Sequence, residues 1–547
     1  MGMYKNAGST RAWDYIIVGA GSAGCVLAER LSADGRSTVL VLEGGGENRS
    51  RWVDMPKGVA RLVTDPQHVM TYAVTQPRIP GTRPEEVWIR GRGLGGSSAV
   101  NGMIWSRGEP SDYDAWEDAG CTGWNGATML AAFKAIEDHA LGDSVMRGVG
   151  GPVRVTPKIF SYALAERMVE AGAEMGLARV EDLNASVGDR IGFYSHNVRN
   201  GRRDSAARAF LDPARKRDNV TVMTDVVVQR ILFADKKAIG VQTRIDGEPR
   251  IFGCRGEIIV AGGSIESPLL LQRSGIGKAR WLKSVGIAPL VNSPDVGEHM
   301  LEHLGFSMPF RLSRDVGINK SFFGVGLMRA VLRYMIRRDG VMATGPFEVG
   351  GFANLVNPDG RPDLQLYLGG YNFALAEDNH PVPLANVDRA PGMTIYGQLL
   401  RLTSEGSIRV RAPHPLEKPE ITPNWLATEE DQRAAVAAIR YMRQFMARPA
   451  LAPYIESELL PGHACQTDEA LLDAFRRLST CGIHATNTCR MGSDNGAVLD
   501  PRCRVNGVSN LRVVDCSAMP GWVTGNTNAP AMAFAWLAAK LILEDRP

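Results

Sequence analysis

Three kinds of residue in this 547-residue chain could do chemistry. The first is the run Gly19-Ala20-Gly21-Ser22-Ala23-Gly24, with Glu43 lying 19 residues beyond its last glycine. A turn of this type binds the pyrophosphate of a dinucleotide. Gly19 permits the tight turn, Gly21 lets the backbone approach the phosphates, and Gly24 lets the following helix pack closely on the strand. Glu43 would accept hydrogen bonds from the adenosine ribose. Its charge opposes a 2′-phosphate, which disfavours NADP and leaves NAD and FAD equally open. The second kind is histidine. His299 and His303 stand four apart, a spacing that suits a metal pair on a helix, but no third ligand is evident and no metal site is expected. The other positions His68, His139, His196, His380, His414 and His463 carry no such pattern. The third is cysteine. Cys25, Cys121, Cys254, Cys465, Cys481, Cys489, Cys503 and Cys516 form no CxxC and no zinc spacing. They read as reduced thiols, which points to the cytoplasm.

These residues need elements to hold them. Tyr15 to Val18 is a short apolar run ending at glycine and reads as a buried strand; Cys25 to Leu31 reads as a helix, and Thr38 to Leu42 as the next strand. The sequence therefore predicts a β-turn-α-β unit with the glycine turn at the helix N-terminus, where the helix dipole favours phosphate. A second glycine cluster, residues 91–102, has so little side chain that its backbone could lie flat against a planar ligand. A third follows a predicted strand at Glu257 to Val260 and opens an apolar helix that Ser274-Gly275 ends. Near the C-terminus a strand, Leu511 to Val514, is followed by Asp515, by Gly525-Asn526-Thr527-Asn528, and by a helix reaching Leu543. Asn528 is the expected N-cap and Pro530 suits the first turn. That helix would aim its positive end at whatever sits beside Asn526, which would favour a flavin ring that gains negative charge on reduction.

Between about 306 and 470 the dinucleotide pattern stops. Leu364 to Leu368 and Ser407 to Arg411 alternate as half-buried strands do, and Glu429 to Met446 has helical periodicity. The stretch 157–212 also lacks dinucleotide features. The expected organisation is a discontinuous dinucleotide-binding part at 1–156, 213–305 and 471–547, with a second part, for substrate, at 157–212 and 306–470. Length and a 44% hydrophobic, 22% charged composition suit a large folded chain. A net charge of +3 argues against a nucleic-acid binder. No apolar signal core precedes the first strand. The most apolar run, Ala529 to Leu543, is too short for a membrane span and contains Lys540, so it reads as a buried helix.

Taken together, "DYIIVGAGSAGCVLAERLS", "GRGLGGSSAVNGMIWSRG", "GGSIESPLLLQRSGIG", "IHATNTCRMG" and "LRVVDCSAMPGWVTGNTNAP" resemble the glucose–methanol–choline (GMC) oxidoreductases along essentially the whole chain. The resemblance implies an α/β FAD-binding domain of Rossmann-like type and a second α+β substrate-binding domain containing an antiparallel sheet. It implies flavin-dependent oxidation of an alcohol. His484 would be the general base and Asn526 its partner, with Asn528 a neighbouring alternative. A histidine near its ordinary pKa of ~6.5 is a good base at neutral pH. Implied FAD contacts are Gly19, Gly21, Ser22, Gly24, Glu43, Gly95, Ser97, Asn101, Val227, Asp515, Asn526 and Thr527. Some members tether FAD through a histidine just before that Asn101. Here the position is Val100, so non-covalent FAD is expected.

The substrate is read less directly. Glu348 is a candidate acid for a cationic alcohol, and Phe347, Tyr367, Tyr371, Phe373 and Tyr396 are candidate aromatic lining. The expectation is an aromatic or apolar primary alcohol with O2 or a quinone as acceptor. Choline, polyol and aliphatic alcohol oxidation, hydroxynitrile-lyase chemistry and a nicotinamide dehydrogenase are the rivals. Oligomeric state is not readable.

Overall fold

The structure is a computed structural model describing residues 12–76, 85–357, 359–374 and 386–546. The segment preceding the first strand, read as lacking a signal core, and His380 lie outside the described residues.

Strand Ala12–Val18 runs parallel to Val39–Leu42 on one side and to the end of Glu248–Val260 on the other. Val220–Met223 extends the sheet beyond Val39–Leu42, and Leu511–Val513 pairs with Glu248–Val260. Apolar β-branched residues make these short runs suited to burial on both faces, as a parallel sheet requires. The register is level at the carboxyl ends: Val18 pairs with Leu42 and Val260, Met223 with Leu42, and Val260 with Val513. Gly19, Glu43, Ala261, Thr224 and Val514 therefore leave the sheet along one edge, the edge where open α/β sheets bind ligands. Glu248–Val260 also extends backwards to meet the antiparallel hairpin Val227–Ala234 and Lys237–Ile245.

Helix Ser22–Ser32 follows the first strand and packs against the last helix, Asn528–Glu544. The last helix is buried around most of its circumference, as its composition led one to expect. No helix of the described residues is long and apolar enough to cross a membrane.

The second sheet has the order Ile455–Glu458, Leu304–Leu312, Gly392–Leu399, Leu364–Gly369, Val349–Ala353, Arg190–Phe193 and Ala178–Arg179. All its pairings are antiparallel except the last. Thr480–Cys481 adds to the N-terminal end of Leu304–Leu312. Helices Ala163–Glu174 and Glu429–Met446 pack on one face. The two-part α/β and antiparallel α+β class read from the sequence is the observed one.

Three local expectations differ. Leu364–Gly369 is buried at all six positions rather than half-buried. Its Leu364, Leu366 and Leu368 enter the core, while Gln365 and Tyr367 point to an interior polar network instead of solvent. Asn528 is the first helical residue, not the cap: Thr527 is the N-cap, because the Asn528 side chain is engaged elsewhere. His299 has φ 55° and the chain from 299 to 303 is not helical, so the two histidines do not share a helix face.

Candidate active site

The glycine turn carries the geometry its spacing implied. Gly19 has φ +104°, and a Cβ there would lie 2.5 Å from the Ala261 carbonyl oxygen. A Cβ on Gly24 would lie 1.9 Å from the Gly19 carbonyl oxygen, so helix and strand can pack this closely only with glycine. A Cβ on Gly21 would meet nothing within 4 Å. The middle glycine thus faces open space at the start of an 11-residue helix with no side-chain cap. Its first-turn amides are donors awaiting an anion. Ser22 Oγ donates to Asn528 Oδ1 at 2.7 Å, which brings the N-termini of the first and last helices together. Asn528 Nδ2 is buried there without a partner. Two positive helix ends, an open backbone cradle and an orphaned amide suit the pyrophosphate of a dinucleotide.

Glu43 sits beside this cradle. Its carboxylate accepts from the backbone N–H of Ala20 at 2.9 Å, Gly45 at 2.9 Å and Gly93 at 3.0 Å. Burial pushes its pKa up, against the pull of those three amides. The acid read as a ribose ligand therefore also staples the glycine turn to the second glycine loop. That loop lies on the turn: Gly95 N–H donates to the Ala20 carbonyl at 2.8 Å, and a Cβ on Gly96 would lie 2.8 Å from Gly21 Cα. Ser97 Oγ accepts from Gly91 N–H at 3.1 Å, and Asn101 Oδ1 accepts from Met103 N–H and from Arg203. Val100 is buried with Val53, Leu62, Val69 and Ala99 and offers no heteroatom for a covalent link. Val227 begins its strand next to Val226, whose N–H donates to the Glu43 carbonyl at 2.9 Å.

Asp515 follows the Leu511–Val513 strand by two residues. It accepts from Gly263 N–H at 2.8 Å, Ser267 Oγ at 2.6 Å, Ser517 N–H at 2.8 Å and Ser517 Oγ at 2.5 Å. Four donors saturate the carboxylate. Its side chain thus fixes the strand-to-helix crossover at Gly263, and burial pushes its pKa up. Thr527 is buried, and its carbonyl accepts from Ala531 N–H at 2.9 Å.

His484 and Asn526 meet beside these groups. Asn526 Nδ2 donates to His484 Nε2 at 3.0 Å and to Tyr367 Oη at 3.2 Å, while Asn526 Oδ1 accepts from Gln365 Nε2 at 3.1 Å. This orientation of the amide leaves Nε2 an acceptor, so the neutral imidazole carries its proton on Nδ1. There it meets His303 Nδ1 at 3.2 Å, and donates to it. Glu302 holds both residues by their backbones, accepting from His484 N–H at 2.6 Å and His303 N–H at 2.9 Å. Trp522 stacks on the His303 ring at 5.4 Å. Burial, reinforced by Arg90, lowers the His484 pKa to about 3. Burial and the neighbouring His484 hold His303 well below the usual range. The sequence expectation of a base near 6.5 is corrected accordingly: the half-buried ring lies in the field of Arg90, and both burial and that charge disfavour its cation. What results is an imidazole kept neutral with its basic atom on the Asn526 side.

His303, Gln365 and Glu302 were not singled out as site residues from the sequence, and Tyr367 was named only as candidate aromatic lining. The alternation of Leu364 to Leu368 contained the signal for Gln365 and Tyr367. His303 had only its spacing to His299, which was weighed for metal and set aside and says nothing of His484.

The candidate substrate residues fall into two places. Tyr367 lies 5.5 Å from both Phe347 and Tyr396, and Phe347 stacks with Tyr396 at 6.4 Å. This aromatic group reaches Asn526 through Tyr367. Tyr371 and Phe373 instead pack 5.7 Å apart in a separate cluster with Ile318 and Phe322. Glu348 is buried, with Lys57 Nζ at 3.0 Å and Tyr162 Oη at 3.3 Å. Its charge is answered inside the protein.

A dinucleotide cradle at the carboxyl edge of a parallel sheet, opening beside a neutral histidine and an asparagine, marks a cofactor-dependent oxidoreductase. Comparison with known proteins makes this specific. Family models described as GMC oxidoreductase match residues 13–305 and 403–535. The chain is 37% identical over 534 residues to an oxygen-dependent choline dehydrogenase of Pseudomonas putida, covering 96% of this chain and 93% of that one. It is 34% identical over 543 residues to an alcohol dehydrogenase (acceptor) of Pseudomonas putida, covering 97% and 96%. Among solved structures it is similar to pyridoxine 4-oxidase from Mesorbium loti, with TM-score 0.87, 29% identity and coverage of 98% and 100%. The chain belongs to the GMC oxidoreductase family. It is an FAD-dependent oxidoreductase acting on CH–OH donors. Bound in the cradle, FAD supplies the two-electron acceptor for hydride leaving an alcohol carbon.

Proposed function

We propose that the chain oxidises a neutral aromatic or apolar primary alcohol to the aldehyde. His484 Nε2 takes the hydroxyl proton, and Asn526 Nδ2 donates to the same oxygen, holding the C–H for departure as hydride. The observation that supports this choice is the aromatic group Phe347, Tyr367 and Tyr396, joined to Asn526 through the Tyr367 hydroxyl. Aromatic faces alone could also meet a cation, but a buried cation would further want an unpaired carboxylate to answer its charge. Glu348 is ion-paired to Lys57, and Glu302 is paired to Arg90 at 3.4 Å. Choline is nevertheless the second reading, favoured by the 37% identical relative named for it.

FAD would be held non-covalently. Gly21, Ser22 and the last-helix N-terminus at Asn526 and Thr527 would face the cofactor, with Gly95, Ser97 and Asn101 across the second loop and Glu43 and Val227 at the ribose end. Gly19, Gly24 and Asp515 would act through the shape of the cradle. Residues 157–212 and 306–470 would form the substrate-binding part. The acceptor would be O2 or a quinone and the setting cytoplasmic.

The test is the visible spectrum of the FAD-loaded protein under anaerobic conditions, with benzyl alcohol and, separately, choline. Bleaching by benzyl alcohol alone supports the proposal, and admitting air then separates O2 from quinone as acceptor. Bleaching by choline alone overturns it in favour of the second reading. Turnover of a cyanohydrin without bleaching would place the chain with the lyases.

A further inference from the structure

Helix Gly324–Arg337 stands on the surface over the Ile318/Phe322/Val341/Met342 cluster, with Tyr334 its single buried residue. Its inner side is accounted for by Leu327, Ala330 and Val331, which pack on that cluster. Its outer side is not. Val325, Met328, Leu332, Met335 and Ile336 are 58–71% exposed. Their spacing puts them in one stripe along the helix. Large apolar side chains exposed singly need no explanation, but a contiguous stripe does.

The stripe is flanked by arginine. Arg329, Arg333 and Arg337 recur every four residues on the adjoining face and are exposed. Arg333 is paired with Asp339, whereas Arg329 and Arg337 make no ion pair among the described residues. The helix contains no acidic residue. At its foot opens a cavity of about 1110 Å³ lined by eight Arg or Lys side chains against three carboxylates. Val331, Tyr334 and Met335 of the helix form part of its wall, and Arg51, Lys216 and Arg338 line it without an ion pair among the described residues. The buried Arg203 also faces this cavity and has an Nη2 without a partner.

We propose that this helix and the basic cavity beneath it form a docking face for an anionic lipid bilayer. Apolar side chains on one arc and arginines beside them are what an interfacial helix presents to acyl chains and phosphate headgroups. Fourteen residues span about 21 Å along the axis, too short to cross a bilayer but long enough to lie in its surface. A second copy of the chain is the less fitting occupant. Its helix would set arginine against arginine, with Asp339 beside it already taken by Arg333. The docked enzyme would draw alcohol and acceptor from the membrane phase, but the docking itself does not depend on which alcohol is oxidised.

The experiment is flotation of the FAD-loaded full chain with vesicles of phosphatidylcholine mixed with phosphatidylglycerol, and with phosphatidylcholine alone. The protein is expected to float with the anionic vesicles and largely remain behind with the neutral ones. Each arginine near an anionic surface is worth about fivefold in partitioning, so Arg329→Glu with Arg337→Glu should weaken binding by at least about 25-fold. Met335→Asp with Ile336→Asp should abolish it, with flavin content and light-scattering mass unchanged. Failure of the wild type to float with anionic vesicles overturns the proposal. So does a wild-type dimer that the Met335/Ile336 variant converts to monomer.

Discussion

Replacing His303 with leucine tests how the histidine pair works. His303 does not face Asn526; it accepts the Nδ1 proton of His484 at 3.2 Å while stacked on Trp522 at 5.4 Å. It is therefore a positioning residue whose task is to keep His484 Nε2 free of its proton. Leucine removes that acceptor, leaving a buried donor unpaired unless the imidazole takes the other tautomer, which cannot accept a hydroxyl proton. The bond is long and between neutral partners, so its loss is taken at the lower end, about 1–1.5 kcal/mol. That corresponds to roughly 5- to 12-fold in rate. The assay is anaerobic stopped-flow reduction of the flavin by saturating alcohol, with KM measured in parallel. The rate should fall about tenfold with KM little changed. His303→Asn, which restores an acceptor at the same place, should recover most of it. His484→Ala should cost about 10²–10⁴ by removing the base altogether. A His303→Leu variant at the wild-type rate, or one no different from His303→Asn, would refute the tautomer argument.

Four further outcomes follow from other parts of the structure. Since His484 is held neutral by a pKa lowered to about 3, the acidic limb of kcat/KM should lie well below pH 6.5; a half-maximum near 6.5 would contradict it. Both lowered histidines stay neutral when folded, so their stabilising contribution is present above about pH 6.5 and is lost as pH falls, when the unfolded chain gains protons the fold excludes. Denaturant titrations at several pH values read this directly. Gly24→Ala must push its Cβ into the Gly19 carbonyl and should cost about 1–3 kcal/mol in chemical denaturation. Gly21→Ala, with open space around it, should leave the apoprotein's stability unchanged and weaken only FAD retention. Lys57→Met leaves Glu348 buried without its partner and should destabilise by about 3–5 kcal/mol, with Lys57→Met/Glu348→Gln recovering much of the loss; equal melting of single and double variants would sink that reading.

The glycine turn was legible because each glycine there does one local backbone job, and local jobs leave local signals. The strands at Tyr15, Thr38 and Leu511 were legible for the same reason: short apolar runs ending at the residues that leave the sheet. What the sequence concealed is nonlocal. His303 and His484 are 181 positions apart, and no spacing rule links them. Gln365 sat in a visible alternation whose polar face was read as half-exposed, because periodicity reports two faces without saying what covers each; Tyr367 on the same face was read as aromatic lining without its hydrogen bond to Asn526. Glu43 and Asp515 were placed by the pattern, yet their hydrogen bonds to the backbone show a structural task that residue type alone does not announce.

The bond from Ser22 to Asn528 joins positions 506 residues apart. In the order of synthesis, the first helix emerges with half of a phosphate cradle and waits for nearly the entire chain before the other half exists. A product that stops short of residue 528 has the glycine turn, both sheets and His484, but lacks the second helix end that meets Ser22. If flavin needs both halves of the cradle, its uptake is a late event, and the yellow colour of the holoprotein becomes a report that the segment at Asn528 has met the glycine turn.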